Sequence, residues 1–226
     1  MMTRLASLAI LLAFTACGSK DGDGGAAAVK LTQADVDAVN AKVPADLKDK
    51  VVFELRTAKD KRGRKEETTT FIAPKGWKDG FTPGAIEPEK SGWPADEDGF
   101  SLSKTSMWVS TTCDGKCEAK DWEKSADKHH FSQYTSGETK GKVLKDEKGD
   151  GVRTLVFQGE TTTTTTKTEN GESSSTTGSD SITIIRARWS KSASKYQMCR
   201  AELGKNAASL VDAFVQACDK FSVVEG

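Results

Sequence analysis

The sequence is poor in what most enzymes use. Only two histidines occur in 226 residues, side by side at His129 and His130, so a Ser-His-acid triad would have to choose between neighbours with nothing to single one out. No GxSxG, no HExxH and no phosphate-cradling glycine loop is present. Charge of one sign is missing as well. The 33 basic residues balance 33 acidic ones, leaving no excess to steer nucleic acid or an anionic surface. No apolar run reaches the roughly 20 residues that cross a bilayer as a helix. These absences predict a non-catalytic protein with no cofactor, no metal site and no nucleic-acid partner.

What is present begins with an address. Arg4 supplies a positive n-region, and Leu5 to Phe14 form a short apolar core, within the range of about 7–15 residues of a signal peptide. Thr15-Ala16-Cys17 then places small residues directly before a cysteine. The segment resembles the lipobox of bacterial lipoproteins, with Phe14 standing where that family favours Leu. The resemblance implies that residues 1–16 are removed and that the Cys17 thiolate takes a diacylglyceryl group, the freed amine often being acylated too. Two or three acyl chains anchor stably, whereas one is marginal. Gly18 follows the cysteine, not the Asp of inner-membrane retention, so the resemblance points to the outer membrane. The competing reading is a secretory signal cut at an alanine-type site. Loss of Arg4 leaves the mature chain one charge to the acid side.

Residues Gly18 to Lys30, "GSKDGDGGAAAVK", are small and polar without apolar periodicity. They predict a flexible tether spanning about 20 Å. The run "DGDGG" lacks the glutamate that a calcium loop requires. One globular domain is expected over 31–226, of α+β class, with helices packed on an antiparallel sheet of six to seven strands.

Thr32 followed by Asp35 predicts a capped helix start, with Pro44 ending or redirecting that helix. Val51–Thr57 and Thr68–Ala73 read as a hairpin around a charged turn, "KDKRGRKEE". Between Gly76 and Gly99, prolines and glycines predict a loop. Its aromatics Trp77, Phe81 and Trp93 either pin the loop to the core or line a ligand groove. Phe100–Thr112 reads as a strand, with Leu102, Met107 and Val109 apolar. A helix follows, with Trp122, Ala126 and either His130 or Phe131 on one face. Lys142–Lys145 and Gly151–Phe157 form a second hairpin around "DEKGDG". The Thr/Ser-rich stretch 160–180 reads either as a two-sided polar hairpin of weak register or as a loop.

The C-terminal region carries distance information. A strand enters Gly204, and a helix follows with Leu210, Val211, Phe214, Cys218 and Phe221 on one stripe. Cys199 lies five residues before Gly204, about 17 Å at strand rise. Cys218 lies twelve residues beyond Asn206, about 18 Å at helix rise. A helix folding back along its strand brings the two sulfurs level, and an oxidising compartment joins them. Cys113 and Cys117 are left to pair across "CDGKC". The rivals for that pair are a zinc site with His129 and His130, or a redox pair whose three intervening residues depart from the usual two.

The stretches "TTTFIAPKGWK", "YQMCRAEL" and "AASLVDAFVQACDKF" together resemble the PsbP-like α/β/α sandwich domains over residues 50–222. Members of that family are mostly non-catalytic adaptors and envelope lipoproteins, and no site residue carries over. The resemblance implies an accessory or binding lipoprotein contacting another envelope component. The alternative is a small-molecule-binding or hydrolytic domain using the aromatic loop 76–99.

Overall fold

The computed structural model describes residues 30–225, apart from 63–64, 80–84, 89–105, 113–117, 119, 150, 169–170, 178–179 and 191–194. The first helix, α1 (Gln33–Asn40), opens as its sequence predicts. The Asp35 carboxylate accepts hydrogen bonds from the Thr32 backbone N–H and hydroxyl, both at 2.9 Å. Pro44 starts a 3-10 turn over Ala45–Leu47, and β1 (Phe53–Arg62) pairs antiparallel with β2 (Lys65–Pro74). Here the sequence misleads: the charged stretch expected to be a turn is mostly strand. The ladder runs on to Arg62 opposite Lys65, with Lys61 opposite Glu66 and Asp60 opposite Glu67, so backbone pairing carries the arm.

The loop expected over 76–99 also needs correction, since it contains two short strands, β3 (Trp77–Asp79) and β4 (Ala85–Pro88). Together with β5 (Ser106–Thr112), β6 (Gly141–Gly149), β7 (Val152–Gly159), β10 (Ile182–Ser190) and β11 (Lys195–Leu203) they build a seven-stranded antiparallel sheet. Its order is β3-β4-β5-β11-β10-β7-β6. The β6–β7 hairpin is tighter than expected: β6 runs to Gly149, opposite Val152, and Gly151 takes a positive φ of 68°. β8 (Thr162–Thr168) and β9 (Gly171–Thr177) form a separate two-stranded ribbon, so the Thr/Ser-rich stretch is a hairpin. Below it, Gly159 N–H donates to Ser181 O and Thr161 N–H to Asp180 Oδ1, both at 2.8 Å.

The helix expected after β5 runs as α2 (Trp122–Ala126), a π turn over Asp127–Phe131 and α3 (Ser132–Thr135). The chain then closes with a 3-10 segment (Lys205–Leu210), α4 (Val211–Asp219) and β12 (Phe221–Glu225). That last strand is a further correction. Phe221 does not extend the helical stripe but begins a strand that pairs with β2, completing the three-stranded sheet β1-β2-β12.

Alternation along β7, β10 and β11 sorts side chains to two faces of the large sheet. Leu155, Phe157, Ile185, Ala187, Tyr196 and Met198 pack with Trp122, Ala126 and Phe131. On the opposite face Val156, Ile184, Cys199 and Ala201 pack with Phe214 and Ala217 of α4, Val36 and Val39 of α1, and Phe53, Phe71 and Phe221 of the smaller sheet. Each face is thus closed by its own layer. Cys199 and Cys218 are joined by a disulfide with a Cα–Cα distance of 5.3 Å, which staples α4 to the strand before it.

Candidate functional site

Several predicted site residues lie outside the described residues: Cys17, Phe81, Trp93, Cys113 and Cys117. Trp77 is described, and it is pinned to the core. It is 2 % exposed, with its ring centroid 6.0 Å from that of Phe214 and its carbonyl accepting a hydrogen bond from Arg56. Cys199 and Cys218 are fully buried structural sulfurs. His130 Nε2 lies 3.0 Å from the buried Tyr196 hydroxyl, a packing contact under the helix. Among the described residues no group of three or more His, Cys, Asp or Glu is placed to hold a metal ion. No helix among them is long and apolar enough to cross a membrane.

The structure instead gathers charged residues that the sequence left unremarked beside the helix face that it did single out. A cleft of about 220 Å³ opens between the helix and the β6–β7 hairpin, with Trp122, Asp127 and Phe131 on one wall and Lys148, Val152 and Arg153 on the other. Arg153 is its centre. In the register of the hairpin it stands opposite Lys148, a like-charge pairing that disfavours the hairpin. Asp146, two residues along the same strand face, relieves it. Arg153 Nε and Nη2 donate to the two oxygens of Asp146, each at 2.9 Å. Nη1 donates to Asp127 Oδ1, and the guanidinium carbon sits 4.3 Å from the centroid of the Phe131 ring.

The π turn makes this possible. An extra residue in the turn shifts the helix register, so Asp127 and Phe131 both reach Arg153 while His130 stays on the sheet side against Tyr196. That settles the sequence ambiguity between His130 and Phe131, since each is used. The residue is 8 % exposed, and burial alone would lower the guanidinium pKa. The hydrogen bonds and charges of Asp146 and Asp127 more than offset this and raise it. In return, the Arg153 hydrogen bonds hold the Asp146 carboxyl below its ordinary value, against partial desolvation and with help from the charges of Arg153 and Lys148.

Chemically, this is a holding arrangement. Asp146 is fixed as a carboxylate and is a poor proton donor near neutrality. Asp127 is half committed, because Oδ1 meets Arg153 and Oδ2 has no hydrogen bond among the described residues. Glu123 and Lys124 also line the cleft. A second charged cluster lies farther along the same sheet face. Arg200 stacks 5.0 Å from the Trp108 ring, donates to Tyr134 Oη at 2.8 Å and pairs with Glu202 at 2.5 Å.

No family model matches the chain, and no curated protein matches it. Among solved structures, the Saccharomyces cerevisiae Ran-binding protein Mog1p superposes at a TM-score of 0.40 and 11% identity, over 74% of this chain and 95% of that one. A single-substitution mutant of Mog1 gives 0.41 at 10% identity over the same shares.

Proposed function

We propose that this chain is a lipid-anchored protein of the bacterial envelope whose domain binds and does not catalyse, displayed from the outer membrane on the tether 17–30. The observation that carries the binding reading is the state of Arg153. Both carboxylates that Arg153 contacts are engaged as its salt-bridge partners, an arrangement that holds charge in place rather than one that moves a proton. The packed position of Trp77 against Phe214 supports the same reading, because a ring 2 % exposed serves the core. The PsbP-like resemblance of the sequence points in this direction too, since that family is mostly non-catalytic.

The lipobox-like "LLAFTAC" supports the anchor, and a buried disulfide fits an oxidising compartment. Fractionation of the native host tests it. The wild-type protein is expected in the outer-membrane fraction, and a Cys17→Ala variant is expected to leave that fraction or to accumulate with its leader attached. Wild-type protein free of membrane would refute the proposal.

A further inference from the structure

The outer strands of the two larger sheets are β1, β12, β3 and β6, and each is guarded against a further strand. β1 ends in four consecutive charged residues, Lys59 to Arg62. β6 carries Lys142, Lys145, Asp146, Glu147 and Lys148, and its pairing with β7 shifts register between Val143 and Lys145. β3 is only three residues long. Along β12 the carbonyls of Phe221 and Val223 accept hydrogen bonds from the Arg188 and Gln197 side chains. Charge, a bulge, brevity and cover are the devices by which a sheet edge refuses another chain.

β8 uses none of them. From Thr162 to Thr166 it is an unbroken run of threonine, a residue that favours extended chain. Its seven pairs with β9 keep one register, and among the described residues no strand pairs with its outer edge. The ribbon is moreover short of strands, since an isolated hairpin is marginal in water and three or more strands are needed for stability. β9 differs in carrying Glu172.

The β8 edge is complementary to itself. Antiparallel pairing with a second β8, about a two-fold axis through Thr164, sets Thr162 opposite Thr166 and Thr163 opposite Thr165. Thr164 then meets its own copy, and Thr–Thr pairs are favourable cross-strand neighbours. Lys167 falls opposite Thr161, and Thr168 opposite Glu160, so no like charges oppose each other. Over the whole chain 33 basic residues balance 33 acidic ones, so two copies approach without net repulsion.

We propose that β8 is a self-association edge, joining two copies of this chain through a continuous four-stranded sheet of order β9-β8-β8-β9. The contact is isologous and closes as a dimer. It goes beyond the binding reading above and rests on neither the anchor nor the Arg153 cleft.

Cysteine placement in the full-length mature protein tests it. Directly opposed residues of an antiparallel pair have Cα atoms about 4.5–5.5 Å apart, within reach of a disulfide. Under a mild oxidant, Thr164→Cys is expected to give at least about tenfold more covalent dimer than Ser174→Cys, an exposed position on β9. Mixed Thr162→Cys and Thr166→Cys proteins are expected to crosslink more than either variant alone. Thr164→Lys sets two cations face to face, and is expected to raise the dimer dissociation constant at least about tenfold in sedimentation. Equal crosslinking at 164 and 174, no gain on mixing, or a wild type that sediments as a monomer at every concentration would each overturn the proposal. So would a Thr164→Cys protein that, in the host envelope, joins a different protein rather than its own copy. None of these results bears on fractionation of the Cys17→Ala variant, so failure here and failure of the anchor are told apart.

Discussion

Arg153 and Asp146 meet diagonally across the β6–β7 hairpin, joined by two parallel hydrogen bonds of 2.9 Å, while the residue directly opposite Arg153 is Lys148. The hairpin lies at the edge of the large sheet, and this pair, with Asp127 on the helix, ties that edge to the layer above it. The tie is electrostatic and therefore depends on pH.

Asp146 has a folded-state pKa below its ordinary value, so its stabilising contribution is fully present above the unfolded-state pKa of about 3.9. It is lost as pH falls through the lower folded-state value. Asp146→Asn is accordingly expected to cost about 1.5–3 kcal/mol near pH 7, the value of a hydrogen bond to a charged group. The gap to the wild type should close as pH drops below 4. Urea unfolding at pH 7 and pH 3 measures the change, and a gap that widens in acid would contradict the sign.

Removing the guanidinium is more damaging than removing one carboxylate. Arg153→Ala strands Asp146 beside Asp127 in a partly desolvated site and empties the space over Phe131. Because both carboxylates keep some contact with solvent, the cost, about 2–3 kcal/mol, is below that of breaking a fully buried pair. Arg153→Lys keeps the charge but loses the fork, so it should recover only part of the loss in thermal unfolding.

The Cys199–Cys218 bridge has both sulfurs fully buried and closes a loop of 19 residues in sequence separation. The chain-entropy model gives it about 3 kcal/mol. Guanidinium unfolding of the oxidised protein and of the Cys199→Ala/Cys218→Ala variant should differ by about that amount. Because the sulfurs are inaccessible, a mild reductant should act on this bond only at the rate at which α4 opens.

Trp77 separates the two readings of its loop. Trp77→Ala removes a fully packed ring from beside Phe214, and aromatic truncation of this kind costs about 3–5 kcal/mol. Little loss of stability would restore the groove reading.

The parts of the fold that sequence revealed are those where local chemistry and tertiary need agree. Thr32 and Asp35 cap α1 as their spacing requires. Cys199 and Cys218 were recoverable from rise per residue alone, because strand and helix covered nearly equal lengths back from their shared turn. Where the two disagree, the sequence misled. Lys59 to Glu67 reads as a polar turn, yet β1 and β2 continue through it as a backbone-paired ladder as far as Arg62 and Lys65. Phe221 fits a helical stripe by period and still begins β12, since the open edge of β2 offers backbone partners that a longer helix would forgo.

The cleft was illegible for a different reason. Asp127, Asp146 and Arg153 sit among many scattered charges, and only a π turn and a hairpin diagonal bring them together. The available signal was weak: a lone Arg at an alternating position of a mostly apolar strand, "VRTLVF", whose inward face demanded a partner.

The anchor is the central claim, and intact mass spectrometry of the protein purified from its own host tests it most directly. The expected species is a chain beginning at Cys17 and heavier than its sequence mass by a diacylglyceryl group, with or without a further acyl chain. A chain beginning at any other residue, or a Cys17 bearing a free thiol, would contradict it.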